Sequence, residues 1–270
     1  MKAANQGNAE AQNSVGIRYH NGQGTKSDKA EANKWFLKAA EKGHAWAQFN
    51  LAKNYRDGAG ATKNQVTAFK WFLKSAEQGN SEAQNQVGIC FAIGRGVTED
   101  DKQAFQWYKK SADNGFNWGQ HNLGVAYQSG KGVSKNEKLG FQWLLKSAGQ
   151  GNSEAQNRVG LCYSKGTGVN KSNREAFKWY KKSADNGYDW GQYNLGILYD
   201  DGRGTAENKS LAMKWYRKAA AQGNSSAKKQ IPVKVGEIAR ELGGKDLNGS
   251  KMSLSDHRGK LVLIDFWNPG

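Results

Sequence analysis

Residues 187–222 read GYDWGQYNLGILYDDGRGTAENKSLAMKWYRKAAAQ, and Gly223 starts the same phrase again. The opening glycine belongs to a series, Gly7, Gly43, Gly79, Gly115, Gly151, Gly187 and Gly223, spaced 36 residues apart without an insertion. Counted from that glycine, six consecutive units carry the same residue classes at the same offsets. Val15, Leu51, Val87, Leu123, Val159 and Leu195 stand at +8, and Gly16, Ala52, Gly88, Gly124, Gly160 and Gly196 at +9. An aromatic residue follows at +12 (Tyr19 to Tyr199), a Gly-x-Gly at +15 and +17, tryptophan at +28 (Trp35 to Trp215), and a small pair at +32 and +33. The apolar offsets 4, 8, 9 and 12 have helical period, as do 25, 28, 29, 32 and 33. Each unit therefore reads as a helix A, a glycine turn and a helix B. Asp28, Asn64, Asp100, Asn136, Ser172 and Asn208, all at +21, are N-cap residues for helix B. The repeat glycine suits the left-handed position after helix B. Glycine inside helix A at +9 costs about 1 kcal/mol against alanine, so its recurrence implies that another helix backbone passes close. Neither helix can bury its apolar stripe alone, and successive units must stack into a solenoid.

The composition agrees. With 34 glycines beside 37% hydrophobic residues and only 2 prolines, the chain has a globular make-up, neither collagenous nor disordered. No apolar run approaches the ~20 residues of a membrane span, and no leader is read after Met1. Lys2 to Gly7 repeats Lys38 to Gly43, so the chain is expected to open in the last turn of a helix B. Residues 230–270 hold 6 Lys/Arg against 5 Asp/Glu, so nearly all of the +16 charge falls on residues 1–229.

The quoted pattern, A-Q-x-x-[LV]-G-x-x-Y-x-x-G-x-G followed by A-x-x-W-[YF]-x-K-[AS]-A-x-x-G, resembles the Sel1-like repeats, relatives of the tetratricopeptide repeats. The resemblance covers roughly residues 1–227 and implies an all-α, right-handed α-solenoid, expected as a domain over residues 1–229, acting as an interaction scaffold. Such repeats are not in general a catalytic unit. The cysteine-rich branch of the family carries a cysteine pair in each repeat, which this chain lacks.

Composition shifts at Ile231-Pro232. The run from Asp246 to Trp267, with an Asn-Gly turn, an alternating segment and the apolar Leu261–Trp267, has strand rather than helix character. It resembles the start of a thioredoxin-like domain of the TlpA/AhpC-TSA type, which predicts a second, β-containing fragment over residues 230–270. In that family a Cys-x-x-Cys follows the Phe-Trp strand, here just beyond Gly270. The resemblance implies a thiol–disulfide oxidoreductase parent whose solenoid recruits substrates, and leans toward an exported protein.

Within the chain no catalytic residue, cofactor or metal site is expected. Cys90 and Cys162 share offset +11 two units apart. At 8–10 Å per packed helix this places them roughly 20 Å from each other, too far for a disulfide, and both read as packed side chains. His20, His44, His121 and His257 have no partner at metal-ligand spacing. Lys38, Lys74, Lys110, Lys146, Lys182 and Lys218, all at +31, form a ridge on helix B. It reads as a solvated face complementing helix dipoles, with an acidic partner or membrane surface as the alternative. Nucleic acid is not expected, because the aromatics fall on a different face, and nothing in the sequence indicates an oligomer.

A second period, 72 residues, overlies the first. Units 1, 3 and 5 carry Glu10/Asn13, Glu82/Asn85 and Glu154/Asn157 at +3 and +6 of helix A, whereas units 2, 4 and 6 carry Trp46/Phe49, Trp118/His121 and Trp190/Tyr193. Offsets +3, +6, +10 and +13 share one helix face. By resemblance to tetratricopeptide repeats that face lines the concave groove, where a protein or peptide ligand would lie. Tryptophans so placed would recur about every 20 Å, with the glutamates between them favouring basic or donor groups. The alternative is that a pairwise duplication copied an aromatic that packs between repeats.

Overall fold

The structure, a computed structural model, describes residues 1–232. Among these residues there are fourteen helices and no strand. A four-residue helix α1 (Lys2–Asn5) is followed by six A/B pairs: α2 (Ala9–Asn21) and α3 (Lys29–Glu41), α4 (Ala45–Asp57) and α5 (Gln65–Glu77), α6 (Ser81–Ala92) and α7 (Asp101–Asp113), α8 (Asn117–Ser129) and α9 (Glu137–Gly149), α10 (Ser153–Lys165) and α11 (Asn173–Asp185), α12 (Asp189–Asp201) and α13 (Lys209–Ala221). Helix α14 (Ser225–Gln230) ends the series. The expected β fragment falls, apart from residues 230–232, outside the described residues. Among them, no helix is long and apolar enough to cross a membrane.

Each helix packs on the next in the chain, so the stack is a solenoid of helical hairpins. All six residues read as N-caps of helix B accept a backbone N–H through their side chains. The repeat glycines after helix B hold positive φ, from 83° to 97°. The +8 residues and the +32/+33 small pairs are buried or nearly so, apart from a half-buried Ala220. Edge-on aromatic pairs join helix B of one unit to helix A of the next: Phe69–Phe91, Phe105–Tyr127, Phe141–Tyr163 and Phe177–Tyr199, at 5.3–5.4 Å.

Two glycine positions show how tightly the layers meet. A Cβ on Gly196 would lie 2.6 Å from the Tyr216 ring, and one on Gly16 2.6 Å from the Phe36 ring and 3.2 Å from the Ala32 carbonyl oxygen. The close neighbour at +9 is thus chiefly the +29 side chain of the same unit, with the helix B backbone just behind it. The second glycine of Gly-x-Gly does more than turn the chain. At Gly60, with φ +70°, a Cβ would sit 2.2 Å from the carbonyl of Lys29, the first residue of the previous unit's helix B. Gly96, Gly132, Gly168 and Gly204 meet Gln65, Asp101, Glu137 and Asn173 in the same way.

Buried polar side chains bolt the layers. Gln48, Gln84, Gln156 and Gln192, at +5, donate to the +33 carbonyl of the preceding helix B. Each also accepts from the +35 amide of its own unit: Gln78, Asn114, Asn186 and Gln222. Ser75, Ser111, Ser147 and Ser183 donate from helix B to the first turn of helix A. These bonds give buried side-chain polar groups partners on neighbouring helices, which fixes the register between layers.

Direct contact between like helices of neighbouring units is most extensive for α6 with α8 and α10 with α12, both pairs of helices A. On helix B, every +31 lysine stands over the +28 tryptophan of its own helix, with Nζ 3.9–4.6 Å from the ring centroid. The basic ridge is held by cation–π contacts, which the sequence reading did not include.

Candidate functional site

The tryptophans among the described residues divide into two populations. Those at +28 serve packing: Trp35 and Trp107 are 7% and 8% exposed, and Trp71, Trp143, Trp179 and Trp215 are half-buried. The three at +3 of even units are open, with Trp46 49%, Trp118 43% and Trp190 43% exposed. Each stands edge-on against the aromatic residue one turn further: Trp46 on Phe49 at 5.8 Å, Trp118 on His121 at 5.6 Å and Trp190 on Tyr193 at 5.8 Å. The supporting rings lie lower. Phe49 and His121 are buried, and Tyr193 is half-buried. Phe49 also meets Phe72, and Tyr193 meets Tyr216, so both supports are continuous with the core.

The asparagines of odd units are tied to the next unit. Asn50 donates to Asn13 at 3.2 Å, Asn122 to Asn85 at 2.8 Å and Asn194 to Asn157 at 2.8 Å. Asn85 is buried and Asn157 half-buried, so these amides act first as inter-helix ties. Their donors at +7 were not read as site residues, although Asn50, Asn122 and Asn194 follow the same 72-residue period. Glu82 is half-buried. The Glu154 carboxylate lies 3.4 Å from His121 Nε2 of the previous unit and 3.9 Å from Arg158 Nε of its own helix. His121 is the main influence holding the Glu154 carboxyl below its ordinary range, helped by Arg158 and opposed by burial.

A cleft of about 350 Å³ opens between α2 and α4. Asn13, Ile17, His20 and Asn21 line it from α2, Trp46, Asn50, Lys53 and Asn54 from α4, with Phe36 behind. Offsets +3, +6, +10 and +13 thus meet in one cavity. One superperiod later, Ala92, Tyr108, Asn122, Val125 and Ala126 line part of a pocket of about 120 Å³ that lies mainly between α7 and α8 and lacks the counterparts of Asn13, Ile17 and Trp46. His20, Ile17 and Lys53 were not among the expected site residues; the period of 72 could not flag them, because two of the three break it.

Other chemistry is sparse. Cys90 and Cys162 are free and buried. Burial pushes the Cys90 thiol up to about 11 and raises Cys162 as well, so neither supplies a thiolate at neutral pH. Among the described residues no group of three or more His, Cys, Asp and Glu is arranged to hold a metal ion.

Comparison with known proteins follows the repeat. The Sel1 repeat profile matches six segments, residues 9–44, 47–80, 81–116, 119–152, 153–188 and 191–224. No curated protein matches the sequence. Among solved structures, the chain is similar to a protective antigen of uropathogenic Escherichia coli strains displaying an SLR fold. The two share 41% identity over 91% of this chain and 52% of that one, with a TM-score of 0.74. It therefore spans about half the length of that antigen. It is also similar to a Sel1 repeat protein from Oxalobacter formigenes, with 37% identity over 79% of this chain and 86% of that one, TM-score 0.75. An immunity protein from Pseudomonas aeruginosa shares the fold at 18% identity, TM-score 0.52. The chain belongs to the Sel1 repeat family.

Proposed function

We propose that the helix-A face binds a protein or peptide segment, anchored on Trp46, Trp118 and Trp190. Sel1 repeat solenoids are protein-interaction scaffolds, and their extended inner surfaces suit elongated ligands. One observation carries the assignment of the face. Three tryptophans, one every 72 residues, are 43–49% exposed on helices A, while those of helices B pack between layers or under lysines. An aromatic copied only for inter-repeat packing would be covered by its neighbour. Phe49, His121 and Tyr193 act as supports beneath the anchors, and Asn85 and Asn157 keep the helices in register. Glu82 and Glu154 lie between the anchors. Selection of peptides from a random displayed library on the wild-type protein, followed by rebinding to a Trp46→Ala/Trp118→Ala/Trp190→Ala variant, tests the reading. Selected peptides should lose the variant while its melting temperature stays within a few degrees of wild type. Retained binding, or a collapse in melting, returns the tryptophans to a packing role.

A further inference from the structure

The 72-residue superperiod provides its own internal control. The three junctions between odd and even helices A share most positions: Asn13, Asn85 and Asn157; Ile17, Ile89 and Leu161; Trp46, Trp118 and Trp190; Asn50, Asn122 and Asn194. The first departs from this plan on its polar side. Where the second has Ala92, Val125 and Ala126, and the third Ser164, Ile197 and Leu198, the first has His20, Lys53 and Asn54.

The first cleft is electropositive. No Asp or Glu lines it. Lys53 is exposed and makes no ion pair within 4.0 Å among the described residues. The nearest acid of its own helix, Asp57, is engaged by two Arg56 nitrogens, Nε and Nη2, at 2.8 Å. His20 is lowered by burial first and then by the charges of Lys29 and Lys53, which marks the field inside the cleft. Ile17 from α2 and Trp46 from α4 add apolar surface to its lining.

We propose that this cleft takes an acidic side chain of a peptide ligand, its carboxylate on Lys53, and a neighbouring apolar side chain against Ile17 and Trp46. The inference rests on the helix-A face being the ligand surface. A chain lying along the tryptophan stripe passes the mouth of the cleft, so it enters with an Asp or Glu side chain. The cleft sets which part of the ligand lies over the first two units.

The experiment uses two pools of fluorescein-labelled, C-amidated dodecapeptides. They carry a central Glu-Leu or Gln-Leu pair among randomised neutral residues. Binding is read by fluorescence polarisation at low salt. The Glu pool should bind at least tenfold tighter than the Gln pool. Lys53→Val, the residue the fourth unit uses, should erase that preference without changing the melting temperature. Lys110→Val on the helix-B ridge should leave it intact. Equal affinity of the pools, binding of neither, or a preference that survives Lys53→Val overturns the cleft assignment. A Gln pool with a free carboxyl terminus that matches the Glu pool overturns the side-chain source. The wider groove reading is judged separately by the library selection, whose outcome does not depend on Lys53.

Discussion

Gln12 shows how much a single residue decides in a repeat. Its counterparts accept a hydrogen bond from Gln or Asn at +35, but the first unit has Lys42 there. Lys42 donates instead to the Gly7 carbonyl, and Gln12 Oε1 is buried without a partner. Gln150 manages both contacts in the fourth unit, reaching Gly115 O at 3.1 Å and Gln120 Oε1 at 2.8 Å. Lys42→Gln should therefore stabilise the protein by about 0.5–1.5 kcal/mol, read as a shift in denaturant midpoint at unchanged slope. Glycine offers a paired comparison. Gly24 and Gly60 occupy the same offset with φ of +75° and +70°, but only Gly60 faces a neighbouring backbone. Gly24→Ala should cost about 1–2 kcal/mol for the left-handed conformation alone, and Gly60→Ala clearly more. Equal losses would mean that the inter-unit contact at Gly60 is not tight. Glu154 gives the pH test. Its folded-state carboxyl is held below the ordinary 4.5, so its contribution is present above that value and fades as pH falls through the folded one. Glu154→Gln should lower stability near neutral pH, and the gap to wild type should close in acid. A pH-independent gap would locate the effect in packing.

At the scale of elements, the helices and their caps were legible because they obey local rules. A +21 Asp, Asn or Ser before a 3.6-period stripe specifies helix B, and all six caps form. Helix A has similar caps at Asn8, Asn80 and Asn152, plus His44, while Phe116 and Tyr188 provide no side-chain cap bond. The polar bolts were not legible, because Gln at +5 finds its partners 8 and 30 residues away on two other helices. That pairing depends on how units stack, which periodicity does not describe. Replacing one bolt, Gln156→Leu, removes its bond to the Ala148 carbonyl, which Gly151 N–H still meets, and its bond from the exposed Asn186 amide. It should cost roughly 0.5–1.5 kcal/mol, measured by chemical denaturation. A neutral outcome would show that water replaces both bonds. The candidate site was legible only in part for the same reason. The sequence marks Trp46, Trp118 and Trp190 by their spacing, but whether Phe49, His121 and Asn85 face a ligand or a neighbour depends on burial.

The whole molecule is a stack in which odd and even units are not interchangeable. Asn85 must meet Asn122, and Asn157 must meet Asn194. Deleting residues 79–150, one full superperiod, joins an even unit to an odd one and keeps every class of contact. Deleting residues 79–114 joins two even units and sets Asn122 against Phe49. The smaller deletion should therefore melt lower than the larger, as followed by helical circular dichroism. The reverse order would show that the 72-residue period has no role in packing. The central claim, that one tryptophan set binds and the other packs, is most directly tested on neighbours in the chain. Trp107 is 8% exposed on α7 and Trp118 is 43% exposed on α8. The measurement is the affinity of a library-selected peptide for each Trp→Ala variant, with each variant's melting curve. Trp118→Ala should weaken binding about 30-fold or more and leave melting nearly unchanged. Trp107→Ala should lose roughly 3–5 kcal/mol of stability yet bind normally well below its melting point. Normal binding by Trp118→Ala, or equal loss of stability in both variants, would contradict the account.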